Sequence, residues 1–219
     1  MELPLTSLSP VICPVGETGC PLLQEVAELR QQVITDPLTG LFNVRYFRQA
    51  LEQELERTRR TGMATALMMV DLDHFKSIND TYGHENGNRV LTYVAELLNR
   101  ETRRLDICCR YGGEEFVVIL PSTELMLARQ VAERFRRALE ESDIALDQGT
   151  LKVTASLGLA VAPEPSQTDA DTLVAMADEC LYEAKRGGRN RVCAQRPPEP
   201  DSRVSADEKD ALRGLFGGD

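Results

Sequence analysis

Apolar and polar residues alternate with two different periods along the middle of this chain. Some stretches repeat their apolar residues every three or four positions, which is typical of helices with one buried face. Shorter runs between them are apolar throughout, as in strands buried on both faces of a sheet. The pattern predicts helices over 43–60, 87–103, 123–140 and 170–186, and strands over 64–71, 106–111, 116–120, 150–161 and 191–194.

Local signals refine three of these boundaries. Ser122 is the predicted N-cap of the helix over 123–140, and Thr168 with Asp171 has the spacing of a capping box. Gly112-Gly113 predicts a tight hairpin, because both turn positions can take positive φ. One antiparallel hairpin among helix-linked strands predicts an α+β fold, with a mixed central sheet flanked by helices.

The two ends of the chain have a different character from the middle. Residues 1–21 contain four prolines and little periodicity, and we expect a disordered arm there. Apolar residues then step by four, three and four positions, which predicts a short helical stub over 22–35 that packs on the domain or pairs in a dimer. The globular domain is predicted over 36–195, followed by a flexible acidic tail over 196–219 with a helical pattern around 206–216.

Composition excludes several classes of protein. The net charge of −10 argues against a general nucleic-acid binder, which needs a basic face. No apolar run approaches the roughly 18 residues of a membrane span. No Lys or Arg precedes Arg30, so a signal peptide is not expected. The six cysteines lack the spacing of a zinc site or of a disulfide framework. We therefore expect a cytoplasmic protein with reduced thiols.

Carboxylates follow two of the predicted strands. Asp71 ends the strand over 64–71, at the position where ligand sites collect in α/β sheets. Glu114 and Glu115 follow the two glycines directly. If the hairpin lies beside this strand, Asp71 and Glu114 should face each other. Two carboxylates, a backbone carbonyl and nucleotide phosphates would suit Mg²⁺. The alternative for the heptapeptide alone is a solvated acidic turn.

A series of motifs resembles the GGDEF-domain diguanylate cyclases, in the variant whose signature reads GGEEF. The signature is Arg110-Tyr111-Gly112-Gly113-Glu114-Glu115-Phe116, and the other matching stretches are 36–43, 71–80, 82–88, 154–158 and 177–190. This resemblance implies the nucleotide-cyclase fold, which is shared with polymerase palms. It also implies condensation of two GTP molecules into cyclic di-GMP and two pyrophosphates. Because each domain would hold one GTP, a homodimer with twofold symmetry is implied as well.

The resemblance assigns roles to individual residues. It implies that two Mg²⁺ ions per half-site are bound by Asp71, the Leu72 carbonyl, Glu114 and Glu115. Glu114 would also be the general base, and Glu115 would support a second metal or the transferring phosphate. The implied phosphate and base contacts are His74, Phe75, Lys76, Asn79, Asn88, Lys185 and Arg189, with Lys76 counted among the catalytic groups. For Phe75 the alternative is a place in the core, and for Lys185 and Arg189 a solvated surface.

Position 88 departs from the family pattern, which usually has Asp there. Asn88 offers guanine one acceptor where Asp offers two, and its amide instead matches the edge of adenine. GTP remains the expected main substrate because Asn79 still offers a guanine contact. A cyclase of relaxed specificity that also makes cyclic GMP-AMP is the alternative.

The segment Arg103–Asp106 matches the inhibitory RxxD site of the family. Arg103 and Asp106 would bind the guanine of the product, and Arg134 could add a phosphate contact across domains; an ordinary helix-end salt bridge is the alternative. Two further functions stay open, a non-catalytic cyclic di-GMP receptor and a cyclase making cAMP or cGMP. The intact carboxylates argue against the first, and the GGEEF signature argues against the second. A regulatory protein that acts through the N-terminal segment is a further expected partner.

Overall fold

A mixed sheet lies at the centre of the computed structural model, which describes residues 34–147, 149–162 and 168–195. The strands in chain order are β1 (Phe42–Asn43), β2 (Thr65–Leu72), β3 (Ile107–Arg110), β4 (Glu115–Leu120), β5 (Ile144–Leu146), β6 (Gly149–Leu151), β7 (Ala155–Ala162) and β8 (Val192–Ala194). Within the described residues, the central sheet has the order β1-β3-β4-β2-β7-β8. Its outer pairs β1–β3 and β7–β8 are parallel and the inner pairs are antiparallel. The predicted α+β fold with a mixed central sheet is confirmed.

Helices cover both faces of this sheet. They are α1 (Val44–Thr61), α2 (Phe75–Tyr82), α3 (His84–Glu101), α4 (Leu125–Glu141) and α5 (Ala170–Arg186). Successive side chains of β2 alternate between the faces, as the strand geometry requires. Met68 and Val70 join the core under α3 and α4, whereas Leu67 and Met69 join the core under α1 and α5. Burial on both faces explains why this strand is apolar throughout.

One close contact fixes the position of α5 on the sheet. A Cβ on Gly158 of β7 would lie 2.1 Å from the carbonyl oxygen of Ala177 and 2.3 Å from the amide nitrogen of Leu181. The backbones of α5 and β7 therefore pack against each other at a distance that only glycine permits. This contact brings the C-terminal turn of α5, with Lys185, to the end of β2.

Both predicted N-terminal caps were wrong, although the helix predicted over 170–186 has the observed bounds. α4 begins at Leu125 with Glu124 as its N-cap, while Ser122 lies earlier with φ 49° and donates its hydroxyl to the Met63 sulfur at 3.6 Å. For α5, the N-cap is Asp169. The Asp169 side chain accepts the amide N–H of Thr172 at 2.7 Å, which replaces the capping box predicted from Thr168 and Asp171. The first residue is displaced by two positions in α4 and is as predicted, Ala170, in α5.

Several other boundaries differ from the prediction. The strand predicted over 150–161 is split, because β6 pairs with β5 in a separate ribbon and β7 starts only at Ala155. The helix predicted over 87–103 runs from His84 to Glu101, so Arg103 lies beyond its end. Helix α2 was not predicted, nor were β1 and the β5–β6 ribbon. These elements are short, and short elements show too few periods to be recognised in sequence.

The predicted arm over 1–21, the tail over 196–219 and most of the stub over 22–35 lie outside the described residues. In the described part of the stub, Ile34 is buried and Thr35 forms a β-bridge with Phe42. Among the helices of the described ranges, none has the length and apolarity to span a bilayer. The described cysteines, at 108, 109, 180 and 193, are free thiols, and burial raises the pKa of Cys108 to about 12.

Glu54 provides a stability prediction. This carboxylate on α1 is buried, its Oε2 has no hydrogen-bond partner, and its Oε1 lies 3.2 Å from Arg57. Burial raises its pKa above the ordinary value of 4.5, against the opposing charge of Arg57. The ionised form therefore costs stability at neutral pH, and this cost disappears as the pH falls through the raised pKa toward 4.5.

We expect Glu54→Gln to raise the free energy of unfolding by about 1 kcal/mol at pH 7, since a buried charge is removed. Urea titrations at pH 7 and pH 5 measure the effect, and the gain should be smaller at the lower pH. Glu52→Gln, on an exposed position of the same helix, is the control and should change neither curve. A destabilised Glu54→Gln would show that the contact with Arg57 outweighs the burial cost.

Candidate active site

Acidic side chains meet at the end of β2. In the antiparallel register, Asp71 lies opposite Glu115 on β4 and opposite Ser156 on β7. The hairpin thus lies beside β2 as predicted, but the residue directly facing Asp71 is Glu115 and not Glu114. Glu114 comes one position earlier, in the loop, and its carbonyl accepts the amide N–H of Leu72 at 3.4 Å.

The electrostatics of this cluster favour a cation. Lys185 Nζ lies 2.8 Å from Asp71 Oδ2. Burial raises the pKa of Asp71 despite this partner, and the charges of Glu114 and Asp73 raise it further. Burial also raises the pKa of Glu115, together with the charge of Asp71. The single ammonium group of Lys185 therefore compensates only part of the negative charge. The remaining repulsion between carboxylates on neighbouring strands favours a bound cation.

The donor set at this end of the sheet fits Mg²⁺. Carboxylate and carbonyl oxygens are the ligands that Mg²⁺ prefers, and such sites rarely have a complete protein cage. Across the described residues, no three Asp, Glu, His or Cys side chains converge as a ready-made metal cage. The available ligands, at Asp71, Leu72, Glu114 and Glu115, therefore suit a metal that shares its coordination with substrate phosphates.

Arg110 holds the loop between β3 and β4 in place. Its Nη1 lies 3.1 Å from each carboxylate oxygen of Asp36, and its Nη2 donates to the carbonyl of Gly113 at 2.9 Å. Asp36 also accepts the amide and hydroxyl of Thr39. Burial acts against ionisation of Asp36, but the bonds from Thr39 and the charge of Arg110 prevail and lower its pKa. The 36–43 motif and the signature are therefore one unit in space.

Neither Gly112 nor Gly113 uses the positive φ that glycine permits. Both lie among the four residues, 111–114, between β3 and β4, and Arg110 donates to their carbonyls. Gly112 lies against the end of the Glu115 side chain. A Cβ there would lie 2.9 Å from Glu115 Oε2. The absence of a side chain at 112 therefore leaves room for the Glu115 carboxylate.

The predicted phosphate loop is the first turn of α2. His74 precedes the helix with φ 58°, and the side chains of His74 and Lys76 are exposed. The Phe75 side chain is buried in the core, as the alternative interpretation had it, so only its backbone can face a ligand. Amide groups at a helix N-terminus with a lysine beside them form a binding site for phosphate.

The two residues predicted to contact guanine lie on one helical hairpin. A Cβ on Gly87 would lie 1.9 Å from Asn79 Oδ1, so the Asn79 amide rests directly on the first turn of α3. Asn88 is the next residue and is exposed. Asn86 is buried and donates to the Tyr82 carbonyl at 2.8 Å, which fixes the connection between α2 and α3. Sequence reasoning missed this supporting role of Asn86.

The predicted triphosphate contacts, Lys185 and Arg189, flank the end of α5. Lys185 is half-buried in its ion pair with Asp71, and Arg189 is exposed with φ 63°. Asp73 was also missed by sequence reasoning, although it is the second acid of Asp71-Leu72-Asp73. It is buried and accepts hydrogen bonds from Thr154, Ser156 and the Asn190 amide.

A family model described as "Diguanylate cyclase, GGDEF domain" matches residues 33–191. The chain belongs to the GGDEF family. DgcP, a diguanylate cyclase of Pseudomonas aeruginosa, is 42% identical over 163 residues, which are 74% of this chain and 24% of DgcP. The chain spans about a quarter to a half of the length of the curated relatives it matches.

Solved GGDEF structures share the fold of this chain. The coiled coil and GGDEF domain of DgcB from Caulobacter crescentus, in complex with c-di-GMP, gives a TM-score of 0.75 at 30% identity and covers 80% of this chain and 92% of that one. The diguanylate cyclase SiaD from Pseudomonas aeruginosa, in complex with its activator SiaC, gives 0.73 at 38% identity and covers 80% of this chain and 66% of SiaD.

In this GGDEF domain, the RxxD segment forms a turn after α3. The amide of Arg103 donates to Asp106 Oδ2 at 2.7 Å, and the amide of Asp106 donates to the Arg103 carbonyl at 3.0 Å. Burial raises the pKa of Asp106 against the charges of Arg103 and Arg134. Arg134 itself pairs with Glu101 at 2.8 Å, a partner that sequence reasoning missed. The three predicted residues therefore lie together, although the salt bridge observed joins Arg134 to Glu101.

Proposed function

We propose that this chain condenses two GTP molecules into cyclic di-GMP and releases two pyrophosphates. The observation that carries the proposal is the cluster at the end of β2, where Asp71 lies opposite Glu115 and pairs with Lys185. Membership of the GGDEF family supports the reaction class. Acids for a metal and cations for phosphates at one end of a sheet support chemistry on a nucleotide triphosphate.

The acidic side chains have distinct proposed roles. Asp71, the Leu72 carbonyl, Glu114 and Glu115 would hold two Mg²⁺ ions per half-site. The metal, when bound, would neutralise charge on the α-phosphate and lower the pKa of the attacking 3′-hydroxyl. Glu114 takes the proton of that hydroxyl. It suits this role because it lies in the loop, outside the strand pairing that fixes Glu115 opposite Asp71.

Cations and amides hold the triphosphate. Lys185 and Arg189 reach it from the end of α5, while the first turn of α2 supplies the backbone amides at His74 and Phe75 and the ammonium group of Lys76. Asn79 and Asn88 contact the base from the α2–α3 hairpin. With these contacts, the base and the phosphates would lie toward opposite ends of α2, which spans eight residues.

The reaction requires two copies of the domain. Each 3′-hydroxyl attacks the α-phosphate of the other nucleotide, and each domain offers one set of these residues. Two domains related by a twofold axis bring the two nucleotides into position for both attacks, so a homodimer is the proposed active form. The direct test is to incubate the protein with GTP and Mg²⁺ and to detect the cyclic dinucleotide.

Two other proposals concern substrate and regulation. Asn88 favours some use of ATP and therefore a mixed product, cyclic GMP-AMP. A regulatory protein that acts through the N-terminal segment is proposed because SiaD is similar to this chain and was solved with an activator. A non-catalytic receptor for cyclic di-GMP would bind the dinucleotide but form none from GTP and Mg²⁺, so the same incubation separates it from the cyclase.

Product inhibition is proposed at Arg103, Asp106 and Arg134. We expect Arg103→Ala to raise the cyclic di-GMP concentration needed for half-inhibition about tenfold, since one charged contact to the product is lost. The initial rate without product should stay unchanged because the RxxD turn lies beyond the end of α3, away from the β2 cluster. Progress curves with added product measure the effect. Arg104→Ala, the exposed neighbour, is the control, and equal inhibition of all three proteins would contradict a functional site.

A further inference from the structure

Three successive residues between α5 and β8 adopt left-handed backbone conformations. Gly188, Arg189 and Asn190 have φ angles of 113°, 63° and 45°. Side chains other than glycine rarely adopt such angles, so Arg189 and Asn190 hold them only where surrounding contacts impose them. The contacts that impose these angles bear on substrate binding, because Arg189 is one of the proposed triphosphate ligands.

The backbone of this turn is tied to Asp73. The amide of Asn190 donates to Asp73 Oδ2 at 3.0 Å. Asp73 is 5% exposed, and both of its oxygens accept hydrogen bonds: Thr154 donates to Oδ2 and Ser156 donates to Oδ1, each at 2.7 Å. Its own amide donates to the Thr154 carbonyl at 2.9 Å. A carboxylate bound in this way is fixed in position.

The side chain of Asn190 is fixed as well. Its Oδ1 accepts a bond from Arg136 Nη1 at 2.8 Å, and its Nδ2 donates to Glu140 Oε1 at 2.7 Å. Both partners lie on α4. The turn is therefore held by its backbone from the β2–α2 connection and by its side chain from α4. We call this set of contacts, centred on Asp73 and Asn190, the Asp73 clasp.

We propose that Asp73 is a positioning residue for the triphosphate end of the substrate. It lies two residues after Asp71 and one before His74, and it holds the residue that follows Arg189. The buried Asp73 carboxylate thus fixes the turn that carries Arg189 relative to Asp71 and to the first turn of α2, which are proposed to contact the same nucleotide. This inference rests on the proposed function and extends it to a residue that touches no substrate.

The clasp predicts a specific binding defect. Asp73→Ala removes both carboxylate oxygens, so the Asn190 amide and the hydroxyls of Thr154 and Ser156 lose the acceptor that they share. Arg189 then loses its fixed position, and a β- or γ-phosphate contact is lost. We expect affinity for a non-hydrolysable GTP analogue with an α,β-methylene bridge to fall about tenfold or more. Affinity for GMP, which lacks those two phosphates, should not change.

Thr154→Val is the matched control. It removes the hydroxyl that binds the same oxygen of Asp73, so it weakens the packing of the carboxylate while leaving the Asn190 bond in place. We expect it to lower thermal stability with no change in the ratio of the GTP-analogue and GMP dissociation constants. Calorimetric titrations with Mg²⁺ present give the two constants for each protein. Amide hydrogen exchange by NMR, without ligand, should show the Asn190 amide protected in wild type and Thr154→Val but exposed in Asp73→Ala.

The outcomes separate this inference from the proposed function. If wild type binds neither nucleotide, both are overturned. If wild type prefers the GTP analogue and Asp73→Ala keeps the same preference, the inference alone is overturned. A purely structural role would lower the preference equally in Thr154→Val and would overturn it too. If Asp73→Ala does not fold, Asn190→Ala removes the α4 contacts with Asp73 intact, and the same fall in preference is expected there.

Discussion

Replacing Glu114 by Gln should lower cyclic di-GMP synthesis by about three orders of magnitude or more. A positioned general base contributes roughly 10²–10⁴-fold, and this residue is also proposed to bind metal. Glutamine keeps the shape of the side chain but neither accepts the proton nor carries the charge. The fold should be unaffected because Glu114 lies in the loop between β3 and β4, which Arg110 holds through the glycine carbonyls.

Single-turnover formation of cyclic di-GMP from GTP and Mg²⁺ measures this effect, with circular dichroism melting as a test of folding. Glu96→Gln is the matched control, since Glu96 is exposed on α3 and lies outside the proposed site. It should retain full activity. Near-normal turnover in the purified Glu114→Gln protein would reject both proposed roles of this residue and would leave Glu115 as the remaining base on this hairpin.

The sequence was most informative where one element is buried on both faces or repeats a long period. The strand ending at Asp71 was predicted within one residue of its observed bounds because all its apolar residues are buried in one of two cores. Helix α2 was missed because its eight residues contain two buried apolar positions, Phe75 and Ile78, which is too few to define a period. The N-cap residues of α4 and α5 were predicted wrongly because capping depends on local backbone geometry that several polar residues could satisfy.

The candidate site shows the same division. Asp71 could be predicted because an acid at the end of a buried strand has few structural uses. The supporting contacts could not, because each joins residues distant in sequence: Arg110 binds Asp36 across 74 positions, and Asn190 binds Asp73 across 117. Such pairs depend on the register of strands and on the packing of helices, which local patterns do not determine. Strand register also explains why Glu115, and not the predicted Glu114, lies opposite Asp71.

Asn88→Asp should lower the apparent KM for GTP about tenfold or more. A carboxylate accepts from both N1–H and N2–H₂ of guanine, whereas the amide leaves one donor unpaired, and a hydrogen bond to a charged acceptor contributes about 1.5–3 kcal/mol. The change should not destabilise the protein, since Asn88 is exposed near the start of α3, where the helix dipole stabilises a negative charge. Asn99→Asp, exposed near the end of the same helix, is the matched control and should leave KM unchanged.

Competition between GTP and ATP tests whether Asn88 also allows adenine to bind. The amide of Asn88 matches the N1 acceptor and the N6 donor of adenine, whereas a carboxylate repels the N1 lone pair. With equimolar GTP and ATP, wild type should therefore form some mixed dinucleotide and Asn88→Asp much less, as measured by mass spectrometry of the products. Equal KM values for GTP combined with no mixed product from either protein would contradict this role. Base recognition would then rest on Asn79, whose amide is held against Gly87 in the α2–α3 hairpin, and position 88 would be neutral.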